Sequence, residues 1–293
     1  MKRLDIYQTV TDTIIEAIEQ GLSGGLEMPW HTMSSIPQNV KTGNLYHGVN
    51  VPLLWAHQLA HGYKSAVWAT YRQWQQIGAK VKKGAKGVQV VFWKSFEVDP
   101  EDDNQEAETR MFACYSTVFN ADQVEGFDVN ADFEPSDIQA IGAADALIDA
   151  TGADIRHNES SAYYNVAADY INLPSPEIFK ETKGGDATAN YYATLYHELT
   201  HWSGAKHRLD RNQNNKFGDE DYAFEELVVE LGAAMLCAST GIESAPREEH
   251  ARYIQIWLKA LKDDKKFIFA ASSQAQKATD YLFSFQDQME MVV

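Results

Sequence analysis

Hydrophobic residues recur along the chain in two patterns, one helical and one typical of strands. Between residues 5 and 20 an isoleucine or valine stands at every fourth position, which predicts a first helix. An aromatic segment at 51–60 predicts a second helix, whereas residues 66–77 fit a helix or a strand equally well. The β-branched and aromatic segments 88–98 and 109–120 predict two strands joined by an exposed acidic loop.

The remainder of the chain predicts a small sheet followed by helices. A polar segment, 129–136, marks the expected linker between domains at 1–128 and 137–293. The expected fold is therefore α+β with two domains. In the second domain the predicted elements are a helix at 137–150, a hairpin within 153–174, a helix at 187–204 capped by Asp186, and helices at 222–240, 246–263 and 272–287.

The helix at 187–204 carries the strongest chemical signal in the sequence. His197, Glu198 and His201 form an H-E-x-x-H motif. Residues four apart lie on one helix face, so both imidazoles can reach one ion at about 2.0–2.1 Å, with Glu198 beside them as the catalytic acid and base. The motif predicts a metallopeptidase-type site for one divalent metal, zinc in preference to manganese, in a zincin-like domain.

Two kinds of third ligand are open from the residues alone. The motif continues through Gly204 to His207, which matches the metzincin pattern in full, with the glycine turning the chain so that His207 returns to the metal. A metzincin also needs a methionine turn, however, and Met235 lies inside a predicted helix.

The gluzincin arrangement, in which a second helix supplies a glutamate, is the favoured alternative. Glu226 and Glu230 share one face of the helix predicted at 222–240 with the small residue Ala233. We assign Glu226 as the third ligand, with Glu230 either the ligand itself or an acceptor that orients a histidine. Glu225 is expected to be solvent exposed.

Other residues near the motif fit a peptidase cleft. The strand at 167–174 could be an edge strand to which an extended peptide adds. Tyr191, Tyr192 and Tyr196 lie on the active helix, and one of them could stabilise an oxyanion. A place in the core or at the rim of the cleft is the favoured interpretation of these tyrosines.

The net charge of −17 argues at first against a nucleic-acid partner. The charge is uneven, because residues 1–128 hold 11 Lys and Arg against 15 Asp and Glu, while residues 129–293 hold 14 against 27. Within residues 39–97, eight cations accompany a single acid, Glu97, and alternate with aromatic residues. Cations that follow phosphates and aromatic rings that stack on bases bind single-stranded nucleic acid in this way. The candidates for DNA binding are Tyr46, Arg72, Trp74, Lys82, Lys83, Lys86, Trp93 and Lys94, although some tryptophans are expected in the core.

The expected compartment follows from what the sequence lacks. Cys114 and Cys237 stand far apart in apolar segments, which predicts buried free thiols in a reducing environment. Neither a signal peptide nor a membrane helix is recognisable, so we expect a cytoplasmic protein with no membrane partner.

Motifs along nearly the whole chain resemble one family. They are Pro29-Trp30, the segment from Asn39 through Asn44 and Tyr46 to Asn50, Trp68 to Trp74, Lys83 to Lys94, the extended motif from His197 to Leu209, and Tyr222 to Glu230. In these residues the chain resembles the ArdC-type plasmid antirestriction proteins, which are also similar to the N-terminal part of some conjugative plasmid primases. The resemblance implies an N-terminal domain that binds single-stranded DNA, with Asn44 among its binding residues. It also implies a zincin-like domain with a glutamate ligand, and a role in shielding incoming conjugative DNA from host restriction.

Three hypotheses of function follow. The favoured one is an antirestriction protein that holds single-stranded DNA and acts as a metallopeptidase, a hydrolase, on proteins met there, for example host restriction enzyme subunits. In the second, the protein coats DNA or blocks the restriction enzyme, and its metal is structural. The third is an ordinary peptidase whose basic segment serves an acidic substrate.

Overall fold

A computed structural model of the protein describes residues 5–24, 28–31, 33, 35–98, 108–127, 137–182, 185–213, 220–243 and 251–290. The expected linker at 129–136 lies outside these residues.

The N-terminal part, over the ranges just given, combines three α-helices with two sheets. Its elements are α1 (Ile6–Gly24), a 3-10 helix (Pro29–His31), β1 (Gln38–Asn39), α2 (Asn50–His61), β2 (Val67–Thr70), α3 (Tyr71–Gln76), β3 (Lys80–Val81), β4 (Val88–Val98), β5 (Glu108–Asn120), a 3-10 helix (Ala121–Gln123) and β6 (Val124–Glu125). The larger sheet has the order β1-β2-β5-β4, and β3 pairs with β6. The segment at 66–77 is thus a strand followed by a helix, because Thr70 ends β2 and its hydroxyl caps α3 by accepting from the backbone of Gln73.

A long antiparallel hairpin, β4 with β5, extends the larger sheet. The strands pair from Val88 with Val118 to Val98 with Glu108. The outer edge of β4 is met by the Asn50 side chain, which donates to the carbonyl of Val91 at 2.6 Å and accepts from its N–H at 2.8 Å. The start of α2 therefore holds the hairpin against the body of the protein.

Within the described residues, the C-terminal part contains five α-helices and a three-stranded sheet. Its elements are α4 (Asp137–Thr151), β7 (Ile155–Arg156), β8 (Tyr163–Asn165), β9 (Tyr170–Asn172), a 3-10 helix (Pro176–Ile178), α5 (Ala187–Ser203), α6 (Glu220–Thr240), α7 (Ala251–Asp263) and α8 (Phe267–Glu290). The two-domain α+β fold is confirmed.

The order of the small sheet corrects two expectations. The order is β7-β9-β8, with β7 parallel and β8 antiparallel to β9. The hairpin is therefore β8 with β9, whereas β7 joins from the other side. The strand expected at the edge, β9, is central, and its residue Ile171 is buried together with Leu173, which follows the strand. The edge strands are β7 and β8.

The largest hydrophobic core contains residues from both parts of the chain. One buried cluster contains Ile14 of α1, Trp30 of the first 3-10 helix and Leu54 of α2, together with Leu227 of α6 and Trp257 of α7. The rings of Trp30 and Trp257 lie 6.4 Å apart. The N-terminal part thus packs directly on the helices of the C-terminal part.

Two other expectations concern the cysteines and membrane helices. Neither cysteine forms a disulfide, and Cys237 is buried, but Cys114 is only half-buried because it lies on the partly exposed hairpin. None of the helices in the described ranges is long and apolar enough to cross a membrane.

Gly87 precedes β4 at a point where no side chain fits. A Cβ there would lie 2.5 Å from Cγ2 of Thr117 and 2.6 Å from the carbonyl oxygen of Val118. Gly87→Ala should therefore lower the free energy of unfolding by about 1–3 kcal/mol, as measured by denaturant titration. Gly142→Ala is the matched control, because it adds the same methyl to helix α4 with no atom within 4 Å. That variant should gain about 0.5–1 kcal/mol, and equal effects at both positions would contradict this interpretation.

Candidate metal centre

Helix α5 presents the H-E-x-x-H residues to helix α6. The carboxylate of Asp186 caps the start of α5 by accepting from the N–H of Ala189 at 2.7 Å, as expected. The two helices approach closely at Gly232, where a Cβ would lie 2.8 Å from Cγ2 of Thr200. This glycine, rather than Ala233, is what lets the glutamates of α6 reach the histidines of α5.

The structure brings His197, His201 and Glu226 together. Nε2 of His197 lies 3.7 Å from Oε2 of Glu226, and Nε2 of His201 lies 3.5 Å from Oε1. One ligand atom from each residue lies within 4.8 Å of the others. Two imidazoles and one carboxylate are a donor set suited to a divalent transition metal.

The Nδ1 atoms of the same histidines face two further glutamates of α6. Nδ1 of His197 lies 2.8 Å from Oε1 of Glu230, and Nδ1 of His201 lies 3.5 Å from Oε1 of Glu225. Carboxylates in this position orient a metal-binding imidazole and fix its tautomer. The structure thus places the Glu230 carboxylate beside the His197 nitrogen that does not face Glu226.

Glu225 is buried, contrary to the sequence expectation of solvent exposure. Arg211 makes this possible, because its Nε and Nη2 donate to the Glu225 carboxylate at 3.1 Å and 3.0 Å. The same guanidinium donates to the carbonyl of Thr200 at 2.5 Å and the hydroxyl of Ser203 at 3.0 Å. Arg211 was not recognisable in the sequence, because it lies outside any motif.

Negative charge dominates the cluster. Four buried carboxylates, of Glu198, Glu225, Glu226 and Glu230, are matched by one guanidinium, that of Arg211, among the described residues. Burial by itself lowers the pKa of His201, but its contacts with Glu225 and Glu226 outweigh burial and raise that pKa to about 10. Burial alone would raise the pKa of Glu226, yet its contact with His201 outweighs burial and lowers that pKa to about 2. The site thus favours a cation, whether a proton or a metal.

His207 does not join this cluster. Its side chain is 63% exposed and lies 3.3 Å from Asp169. Gly204 has an ordinary helical φ of −80°, so it makes no special turn. Its missing side chain instead makes room for Gln213 and Arg211, whose atoms would lie 2.4 Å and 2.7 Å from a Cβ. The chain therefore matches the metzincin motif in sequence, but His207 does not lie with His197 and His201 in the cluster.

Arg208, next to His207, braces one wall of the site. Its guanidinium lies 3.7 Å over the ring of Trp202 and donates to the phenol of Tyr164 at 3.1 Å and to Asp169. Tyr164 belongs to β8, so this network ties the edge strand to the end of α5.

An open cleft of about 250 Å³ exposes the three-residue cluster and Glu198. The edge strand β8 forms one side, and Tyr222 and Tyr253 form another. The three tyrosines considered from the sequence lie elsewhere: Tyr196 donates to Thr240, Tyr192 donates to Asp145, and Tyr191 stacks on His157. Tyr222 and Tyr253 were missed because they come from helices remote in sequence from the motif.

The basic segment of the N-terminal part is largely exposed. Side chains at the surface include Asn44, Arg72, Lys82, Lys83, Lys86, Trp93 and Lys94, while Tyr46 is half-buried and accepts a hydrogen bond from Asn39. Trp74 is a correction, because it is fully buried and donates its indole N–H to the carbonyl of Phe119 at 3.0 Å. Its ring belongs to the core and offers no face to a base.

The hairpin adds aromatic residues to this surface. Phe92 and Phe112 are exposed, and Lys94 lies 5.7 Å over the Phe92 ring. Lys94 pairs across the hairpin with Phe112, so the three side chains share one face. Phe112 and the exposed Tyr115 were missed because the segment at 109–120 was considered only as a strand.

Comparison with known proteins decides the family. Residues 4–119 match the model of the N-terminal domain of anti-restriction factor ArdC, and residues 142–274 match that of a zincin-like metallopeptidase. The crystal structure of metal-free antirestriction ArdC protein from plasmid R388 is 41% identical, with a TM-score of 0.77 over 97% of this chain and 99% of that one. The chain belongs to the ArdC antirestriction family.

Two sequence relatives and a second crystal structure extend the comparison. The uncharacterized protein y4eC of Sinorhizobium fredii (strain NBRC 101917 / NGR234) is 43% identical over 96% of this chain and 92% of its own length. DNA primase TraC of Escherichia coli is 34% identical over 96% of this chain, which spans only 27% of the primase. The Mn(II)-bound structure of R388 ArdC has a TM-score of 0.73, covering 97% of this chain and 98% of that one.

The pKa of His201 gives this family member a testable pH dependence. A pKa raised from 6.5 to about 10 in the folded state adds stability that is complete below pH 6.5 and is lost as pH rises toward 10. With a chelator present, the melting temperature of the wild type should therefore fall across this interval. His201→Gln should reduce that fall. Parallel pH profiles for the two proteins would contradict the assignment.

Proposed function

We propose that this protein is an antirestriction factor that binds single-stranded DNA through its N-terminal part and carries a peptidase-type site for one divalent metal. In this proposal it acts in the cytoplasm on proteins bound to incoming conjugative plasmid DNA, such as host restriction enzyme subunits. The observation that carries the enzymatic part is the clustering of His197, His201 and Glu226 beside Glu198 in an open cleft.

The donor set supports a bound ion of the zinc or manganese kind. His197, His201 and Glu226 would hold it, and the excess of buried carboxylates supplies the compensating charge. The relative whose crystal structure is Mn(II)-bound supports a divalent ion in this family. Three protein ligands are typical of catalytic rather than structural zinc sites, which favours a peptidase over a purely structural metal.

A bound divalent ion would supply Lewis acidity, which polarises a carbonyl and acidifies water. The residues of the chain would do the rest. Glu198 lies in the cleft next to His197, where its carboxylate can hold a proton taken from water and return it to a leaving amine.

Two further elements would position a peptide. The exposed edge of β8 lines the cleft and can pair with an extended backbone, as sheet edges do. The pKa of the Tyr222 phenol is raised by burial and by its contact with Tyr253. Tyr222 therefore stays protonated at neutral pH and can donate a hydrogen bond to a developing oxyanion.

Single-stranded DNA would bind along the exposed cations and the hairpin face. Lys83 and Lys86 lie on the turn before β4, and Phe92, Lys94 and Phe112 share one face of the hairpin that follows it. Exposed aromatic rings next to lysines provide the stacking and phosphate contacts that single strands require. The proposed set is Asn44, Tyr46, Arg72, Lys82, Lys83, Lys86 and Lys94, joined by Phe92 and Phe112 and without the buried Trp74. Trp93 follows Phe92 on β4 and therefore lies on the opposite face of the hairpin.

Glu198→Gln should separate catalysis from binding. The variant keeps both histidines and Glu226, so metal content, measured by mass spectrometry, should match the wild type. Loss of a general acid and base costs about 10²–10⁴-fold in rate, so protection of a conjugated plasmid in a restricting host should be lost. His207→Ala is the control and should protect fully. Full protection by Glu198→Gln would instead support a protein that only covers DNA or blocks the restriction enzyme.

The DNA surface can be tested through the salt dependence of binding. Each phosphate contact adds about 0.7 to the slope of log affinity against log salt for a single strand. Lys83→Ala with Lys86→Ala should lower the slope by about 1.4, measured by fluorescence anisotropy with oligo-dT. The matched control is Lys259→Ala with Lys277→Ala, two exposed lysines of α7 and α8. Equal slopes for both double variants would show that the turn before β4 does not contact the DNA.

A further inference from the structure

A residue of the N-terminal part reaches the metal centre. His31 ends the 3-10 helix Pro29–His31, and its Nε2 lies 3.4 Å from Oε2 of Glu230. The other oxygen of the same carboxylate, Oε1, lies 2.8 Å from Nδ1 of His197. The side chains of His31, Glu230 and His197 are 3%, 5% and 7% exposed, so the three groups form a buried row.

The charge of the Glu230 carboxylate determines which nitrogen atoms in this row carry a hydrogen. An ionised carboxylate only accepts hydrogen bonds, so both imidazole nitrogens that face it must donate. With Nδ1 of His197 as a donor, its Nε2 keeps the lone pair that faces His201 and Glu226. A second donor on Oε2 fixes the rotation of the Glu230 carboxylate and hence the position of Oε1.

The position of His31 is itself fixed by packing. The ring of Trp30 meets it edge-on at 6.2 Å, and Trp30 in turn lies against Trp257 of α7. Both Trp30 and His31 are buried. Because His31 falls within the residues that match the ArdC N-terminal domain, and Glu230 and His197 within those that match the metallopeptidase, the row crosses from one domain to the other.

We propose that His31 is a positioning residue of the metal centre, supplied by the N-terminal domain: it holds the Glu230 carboxylate in the orientation that aims Nε2 of His197 at the ion. This inference rests on the proposed function only in that the wild type must bind a divalent metal. It makes the metal affinity of the zincin-like part dependent on a residue outside that part.

Two substitutions of His31 by amides of different length test the proposal. The Nε2 atom of a glutamine occupies nearly the same place as Nε2 of a histidine, whereas an asparagine amide is one methylene shorter. His31→Gln should therefore keep the donor to Glu230, and His31→Asn should lose it with the same functional group. Substitutions of residues that orient metal ligands cost about 10–100-fold in metal affinity.

The measurement is titration of the full-length, metal-free variants with Mn(II) by calorimetry, together with the rise in melting temperature on adding the ion. His31→Asn should bind Mn(II) about 10–100-fold more weakly than the wild type, and His31→Gln should bind within about threefold of it. Trp30→Phe is the control for a loosened interface. It should melt earlier without metal but keep its affinity, because the substitution leaves His31 in place as the donor to Glu230.

The outcomes separate this inference from the proposed function. Wild-type affinity in a folded His31→Asn variant would overturn the role of His31 and leave the metal site intact. Equal weakening in His31→Asn, His31→Gln and Trp30→Phe would also overturn it, since packing alone would then set the affinity. Absence of Mn(II) binding by the wild type would instead overturn the proposed metal centre.

Discussion

The burial of four glutamates between two helices is the constraint on which the structure of the C-terminal part depends. Carboxylates leave water only when paired, and the described residues offer Arg211, His31 and the two imidazoles of α5 as partners. Without metal, a proton on His201 compensates part of the charge, as the raised pKa of this residue indicates. A divalent ion between His197, His201 and Glu226 would compensate more of it, so the excess of buried carboxylates favours binding of such an ion.

Much of the surrounding architecture serves this cluster. Gly232 allows α6 to approach α5, and Gly204 leaves space for Arg211. Helix α6 carries Glu225, Glu226 and Glu230. The N-terminal part packs on this same helix, because Leu227 and Leu231 share a hydrophobic core with α1 and α2. Matches to two family models therefore do not describe two independent bodies, since one hydrophobic core and one buried polar row cross between them.

Local patterns in the sequence predicted local features, and long-range packing determined the rest. The four-residue spacing of His197 and His201 is a helical property, so the site on α5 follows from it directly. Glu226 lies where helix pairing predicted, but Glu225, Arg211 and His31 depend on contacts between remote segments. Trp74 could be assigned to solvent because composition does not reveal which tryptophans are buried. The strand β9 could be assigned to an edge because a buried central strand and an edge strand can be equally apolar.

The central claim is that the buried glutamates create a site for one divalent ion held by His197, His201 and Glu226. Its most direct test is a crystal structure of the protein crystallised with Mn(II), with anomalous difference maps calculated from data collected at the manganese edge. The account predicts a single strong peak within about 2.0–2.3 Å of both Nε2 atoms and a Glu226 oxygen, with Glu225 and Glu230 contacting the far nitrogens. A peak coordinated by His207, or no peak between α5 and α6, would contradict it.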